Sequence, residues 1–132
     1  MTHWEYNSKN DLTKFGFVYC ITNIKTGKAY IGCKQYFNYS KGKKKKESNW
    51  KTYMGSSKHL SEDIKKIGKD NFKFVIIAEF KNKRSLRYYE CYYQMKYNVL
   101  VSTIEGSDEP AFYNSFVGGK FYRPVEEYYD ID

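Results

Sequence analysis

The chain of 132 residues predicts a small α+β domain, an antiparallel β-sheet of about three strands opened by an N-terminal hairpin and flanked by helices. Three observations lead there. The length allows one sizeable core. The residues are 41% hydrophobic and 20% aromatic, with 15 Tyr and 9 Phe, which is too rich for a disordered chain. The segments read strand, strand, helix, strand, helix, without the repeated βαβ units of a doubly wound fold.

Each element has its own signal. Phe15 to Asn23 alternates and is rich in β-formers, so it reads as a strand. Lys25-Thr26-Gly27-Lys28 is a turn, and Ala29 to Lys34 is the returning strand. Lys41 to Lys46 (KGKKKK) reads as a mobile loop, followed by Asn49 to Gly55. Ser56 or Ser57 caps a helix that runs to about Ile67, with Leu60, Ile64 and Ile67 on one face and Gly68 stopping it. Asn71 to Phe80 is the most apolar segment and reads as the central strand. Ser85 caps a second helix reaching Asn98, and a short extended piece falls around Phe112 to Val117.

The formal charge of +8 points to a polyanionic partner. Charge is also uneven. Ten lysines and one acid, Glu47, lie between Ile24 and Lys58, whereas seven acids and two bases lie between Ile104 and Asp132. No apolar run approaches the roughly 20 residues of a membrane span, and the N-terminus carries no apolar signal region. A cytoplasmic protein without membrane contact is therefore expected. Cys20, Cys33 and Cys91 are odd in number and lack CxxC spacing, so neither a disulfide framework nor a zinc site follows.

The hairpin is the most informative segment. A two-residue Thr26-Gly27 turn makes Ile21 face Gly32 and Cys20 face Cys33. In any register of the same parity Tyr19, Tyr30, Gly32 and Lys34 share one face of the sheet, because side chains alternate with period two. The bare Gly32 then leaves a hollow between two phenols and an ammonium.

Phe17-Val18-Tyr19, ten residues, then Tyr30-Ile31-Gly32 resembles the paired signature of the GIY-YIG nucleases, with Phe and Val in place of the first Gly and Ile. Further blocks follow in the family's order. Tyr53-Met54-Gly55-Ser56-Ser57, Leu60, Ile64-Lys65-Lys66-Ile67-Gly68 and Asn71-Phe72 resemble phage-encoded, homing-type members. Glu90 matches the family's metal-binding glutamate, and Tyr113-Asn114 its terminal Tyr–Asn pair. The resemblance spans nearly the whole chain and divides it into an N-terminal arm (1–14), a nuclease domain (15–117) and an acidic C-terminal tail (118–132).

The resemblance implies a magnesium-dependent DNA endonuclease, with manganese as an alternative ion, that leaves 5′-phosphate and 3′-hydroxyl ends. Tyr19 is then the general base, assisted by Tyr30; Glu90 is the metal ligand; Asn114 orients backbone or a tyrosine. One such site cuts one strand, so a double-strand break takes a homodimer or two visits. The family's phosphate-binding arginine has no counterpart, since no arginine precedes Arg84. Lys51, flanked by Trp50 and Tyr53, is the expected replacement, and Lys34, Lys41, Lys43, Lys44, Lys45 and Lys46 are expected DNA contacts. The alternative is a GIY-YIG-fold nucleic-acid-binding protein that has lost catalysis with that arginine.

Overall fold

The computed structural model describes residues 2–126 and residue 131. Its main sheet contains β1 (Trp4–Glu5), β2 (Gly16–Asn23), β3 (Ala29–Gln35) and β6 (Phe72–Phe80) in the order β1-β6-β2-β3. The β6-β2-β3 core is antiparallel, and β1 adds a parallel edge. The four-strand count exceeds the expected three because residues 1–14, read as an arm, contribute β1. Its Trp4 is 3% exposed and donates its indole N–H to the Trp50 carbonyl at 2.7 Å.

The β2–β3 register is shifted from expectation. Tyr19 lies opposite Gly32, Ile21 opposite Tyr30 and Cys20 opposite Ile31, so Cys20 does not face Cys33. The cause is Asn23, which is buried. Its Oδ1 accepts the Lys25 and Thr26 amides, giving a four-residue loop closed by Asn23 N–H to the Lys28 carbonyl. The shift conserves parity, so the faces are those expected.

The sheet carries a core on each side. Tyr19, Ile21, Phe72 and Phe74 pack with Leu60 and Ile64 of α1 (Lys58–Ile67). Val18 and Ile31 pack with Leu86 of α2 (Lys83–Lys96) on the opposite side. Ser57 caps α1 by accepting the Leu60 amide, and Gly68, at φ +94°, ends it. The second helix starts earlier than expected, because the Asn82 side chain accepts the Ser85 amide and so takes the capping role assigned to Ser85.

The lysine run is not a loop. Strands β4 (Phe37–Ser40) and β5 (Lys43–Glu47) form a separate hairpin that turns at Lys41 and Gly42, both at positive φ. Beyond α2, β7 (Phe116–Val117) pairs with β8 (Phe121–Tyr122). Of the acidic tail, residues 127–130 and 132 lie outside the described residues. Among the described residues no helix is long and apolar enough to cross a membrane.

Candidate active site

The site is built around β3, an edge strand whose outer N–H and C=O groups need partners. At Ala29 the following chain supplies them: the Ala29 amide donates to the Ala111 carbonyl, and its carbonyl accepts from Tyr113. At Ile31 the side chain of Asn114 takes over. It accepts the Ile31 amide at 3.1 Å and donates to the Ile31 carbonyl at 2.8 Å, as a neighbouring strand would. Gln94, buried on α2, donates to the same carbonyl at 2.9 Å. Beside Cys33 stands Glu90, whose carboxylate is held partly in its charged form by the nearby backbone N–H and thiol of that residue.

Glu90 does not lie on the tyrosine face of the sheet, because α2 packs on the Val18/Ile31 side. Burial is the main cause of the raised Tyr30 pKa, and the Glu90 charge adds to it in a small way. The Glu90 side chain is 15% exposed, and its one neighbouring cation is Arg87, at 3.9 Å. Burial raises the Glu90 pKa, and Arg87 and the Cys33 donors offset this only in part.

On the other face Tyr19 lies across Gly32. A Cβ on Gly32 would stand 2.6 Å from the Tyr19 oxygen and 3.1 Å from the Tyr30 ring. The predicted hollow is thus filled by the Tyr19 phenol itself. A β-bulge in the β2–β6 pairing falls between Val18 and Tyr19, where such irregularities re-aim side chains. Tyr19 is 1% exposed, with ring centroids of Tyr30 and Tyr53 at 6.2 and 6.1 Å. Burial and the neighbouring phenols of Tyr53 and Tyr30 push its pKa well above the usual tyrosine value. The Tyr53 ring stands edge-on to it. Tyr30 is half-buried, and its hydroxyl shares a hydrogen bond with Ser56 Oγ at 3.0 Å.

The cations fall into two groups. Lys34 lies beside the phenols, its ammonium 4.3 Å from the Tyr53 ring centroid, and burial lowers its pKa. Lys51 is elsewhere. Its ammonium pairs with Glu47 at 3.5 Å at the foot of the lysine hairpin, because Trp50 turns into the core and leaves the next residue outside. Lys41, Lys43, Lys45 and Lys46 are exposed on that hairpin, and Lys44 lies over the Phe37 ring at 3.8 Å.

Sequence reasoning missed Tyr53 as a partner of Tyr19, Cys33 as the neighbour of Glu90, and Gln94. Gln94 had a usable signal, since it follows Leu86 and Glu90 at helical spacing of four on the inward stripe.

Two phenols thus lie on one face of the hairpin and a carboxylate at its edge, on the fold and with the residues that the resemblance in the sequence led one to expect. The family model "Putative endonuclease segE, GIY-YIG domain" matches residues 1–117, and the chain belongs to that family. The chain is 32% identical over 112 residues to "Endonuclease segA" of Enterobacteria phage T4, which covers 85% of this chain and 42% of that protein. It is 36% identical over 76 residues to "Putative endonuclease segE" of the same phage, covering 58% of this chain and 32% of that one. The chain therefore spans less than half the length of either relative. No solved structure matches it significantly.

Proposed function

We propose that this chain is a magnesium-dependent DNA endonuclease acting in the cytoplasm of a phage-infected cell. The observation that carries the reading is the placing of Tyr19, Tyr30 and Tyr53 together on one face of the hairpin, with Glu90 at the Cys33 end of its edge strand. Glu90 fits a hard dication. It is a desolvated carboxylate incompletely offset by Arg87, and added positive charge relieves it. Among the described residues no three His, Cys, Asp or Glu side chains gather, so the chain offers one carboxylate, as suits magnesium, which retains waters and shares substrate phosphate. When bound, the ion supplies Lewis-acid stabilisation of the leaving oxygen. Manganese fits the same oxygen ligand.

The chain's own residues do the rest. Lys34 meets the scissile phosphate in the role that sequence reasoning gave Lys51. Tyr30 and Ser56 orient the attacking water. Tyr19 is the proton acceptor: as phenolate it takes one proton from that water, with Tyr53 as the route between the buried oxygen and solvent. Oxygen then bonds to phosphorus, the bond to the 3′ oxygen breaks, and that oxygen takes a proton from solvent, leaving 5′-phosphate and 3′-hydroxyl ends. Asn114 and Gln94 hold the Ile31 backbone between the reacting groups. The exposed lysines of the hairpin bind backbone phosphates, which position DNA without reading it. A double-strand break takes a homodimer or two encounters.

The test is nicking of supercoiled plasmid with and without magnesium, by wild type and Glu90→Gln. Magnesium-dependent nicking that the variant loses, with DNA affinity retained, supports the reading. Salt-sensitive binding without nicking by either protein supports the second reading, a binding protein without catalysis. That reading is favoured by the missing arginine and by the upward-shifted Tyr19 pKa.

A further inference from the structure

The outer face of α2 carries a feature that hydrolysis does not use. Arg84, Tyr88, Tyr92 and Lys96 succeed one another at intervals of four, forming one stripe: cation, aromatic, aromatic, cation. Tyr88 is 65% exposed and Tyr92 45%. Both are fixed in place, because Tyr89 stacks on Phe80 at 5.1 Å with the rings 4° from parallel, and Tyr88 and Tyr92 each set an edge against it, at 5.0 and 5.7 Å. The Lys96 ammonium lies 5.7 Å from the Tyr92 ring centroid. The helix's one acid, Glu90, points inward, so no acid of α2 interrupts the stripe.

We propose that this stripe is a binding track for single-stranded nucleic acid, with bases stacked on Tyr88 and Tyr92 and phosphates met by Arg84 and Lys96. The dimensions favour a single strand. Four residues of helix rise about 6 Å, whereas bases in a duplex strand are spaced about 3.4 Å apart. The two rings therefore suit bases pulled out of a stack, which a duplex does not present. The whole stripe is about 18 Å long, enough for a few nucleotides. The charges favour a nucleic acid over a second copy of the chain, since a second copy would bring the same unpaired cations into the contact, whereas phosphates neutralise them. The track extends the DNA-binding reading to a surface away from the phenols and is independent of cleavage.

Binding is measured in EDTA, by fluorescence anisotropy of labelled dT and rU oligomers and of a blunt duplex, for wild type, Tyr88→Ala/Tyr92→Ala and Tyr88→Phe/Tyr92→Phe. Stacking predicts that the alanine pair weakens single-strand binding at least about tenfold, that the phenylalanine pair keeps it, and that duplex affinity stays within about twofold. The stronger of the two oligomers identifies the preferred sugar. Single-strand affinity unchanged in the alanine pair, or absent from wild type, overturns the proposal. So does sedimentation showing that the alanine pair abolishes a dimer while leaving oligomer binding intact. Tyr88→Ala alone, at so exposed a site, repeats the test without threat to folding. Plasmid nicking is scored separately, so loss of the track and loss of the nuclease reading are distinguishable.

Discussion

Gly32→Ala tests the central geometry. In the structure an added methyl carbon at residue 32 lies 2.6 Å from the Tyr19 oxygen and 2.8 Å from the carbon bearing it. Ordinary carbon contacts begin near about 3.5 Å, so the phenol has to withdraw by roughly 0.7–0.9 Å. It has little room. Trp4 stands against the ring at 5.0 Å between centroids, Phe17 and Tyr53 both at 6.1 Å, and Gly55 covers the oxygen. Forcing one methyl into such packing costs about 1–3 kcal/mol. At about 2 kcal/mol the melting temperature falls by roughly 6–12 °C for a chain of this size. Moving a reacting oxygen by most of an ångström also costs about 100-fold in turnover. Gly42→Ala is the control. Its methyl meets nothing within 4 Å, but Gly42 sits at φ +77°, so it loses stability through backbone strain of about 1–2 kcal/mol while nicking persists. The assays are thermal unfolding by circular dichroism and plasmid nicking below the transition. A Gly32→Ala protein that melts within about 1 °C of wild type and nicks normally would refute the placement of the Tyr19 oxygen over residue 32.

Four further outcomes follow from the same geometry. Because burial drives the Tyr19 pKa upward, its phenolate is scarce near neutrality, and nicking should rise nearly tenfold per pH unit from pH 7 to 9; a flat profile rules out a phenolate base. Lys34→Ala should slow nicking about 100-fold and Lys51→Ala by less than about threefold, and the reverse order would restore Lys51 to the phosphate site. Asn114→Ala leaves the Ile31 amide without its partner and should lower stability by about 1–2 kcal/mol in denaturant titration, whereas an unchanged midpoint denies its clamp. Removing the charges of Lys41 and Lys43 to Lys46 together should flatten the log affinity versus log salt slope for duplex DNA by about 4.5, and a slope that stays the same places DNA elsewhere.

The parts of the fold legible in the sequence are those governed by local rules. Parity placed Tyr19, Tyr30, Gly32 and Lys34 on one face even though the register was off, because the Asn23 side chain lengthened the turn without changing odd to even. Ser57 and Gly68 bounded the first helix as capping chemistry requires. The lysine hairpin was not legible: four consecutive lysines have no apolar alternation, and only the Lys41-Gly42 pair at positive φ betrays the turn. Strand β1, two residues long, is too short for any period. The partners of Ile31 come from 63 and 83 residues away and are side chains meeting backbone, a kind of contact that no periodicity encodes.

The position of the carboxylate follows from these non-local contacts and limits what the site can do. Helical spacing puts Glu90 on the inward stripe of α2 but leaves open which face of the sheet that stripe covers. The two helices divide the faces, α1 with the phenols and α2 with Val18 and Ile31. A sheet in the middle would then keep phenol and carboxylate apart by its own thickness. They come near each other because no strand of the sheet lies beyond β3, whose outer bridge to the following chain is at Ala29 and leaves the Cys33 end to Glu90. A phosphate that touches both sets of groups must lie along that edge, beside the residues of β3. Lys34 is one of those residues, with its ammonium already on the phenol side, whereas Lys51 is tied to Glu47 on the hairpin. On the proposed function, position along the edge favours Lys34, where the sequence pattern around Trp50 and Tyr53 favours Lys51.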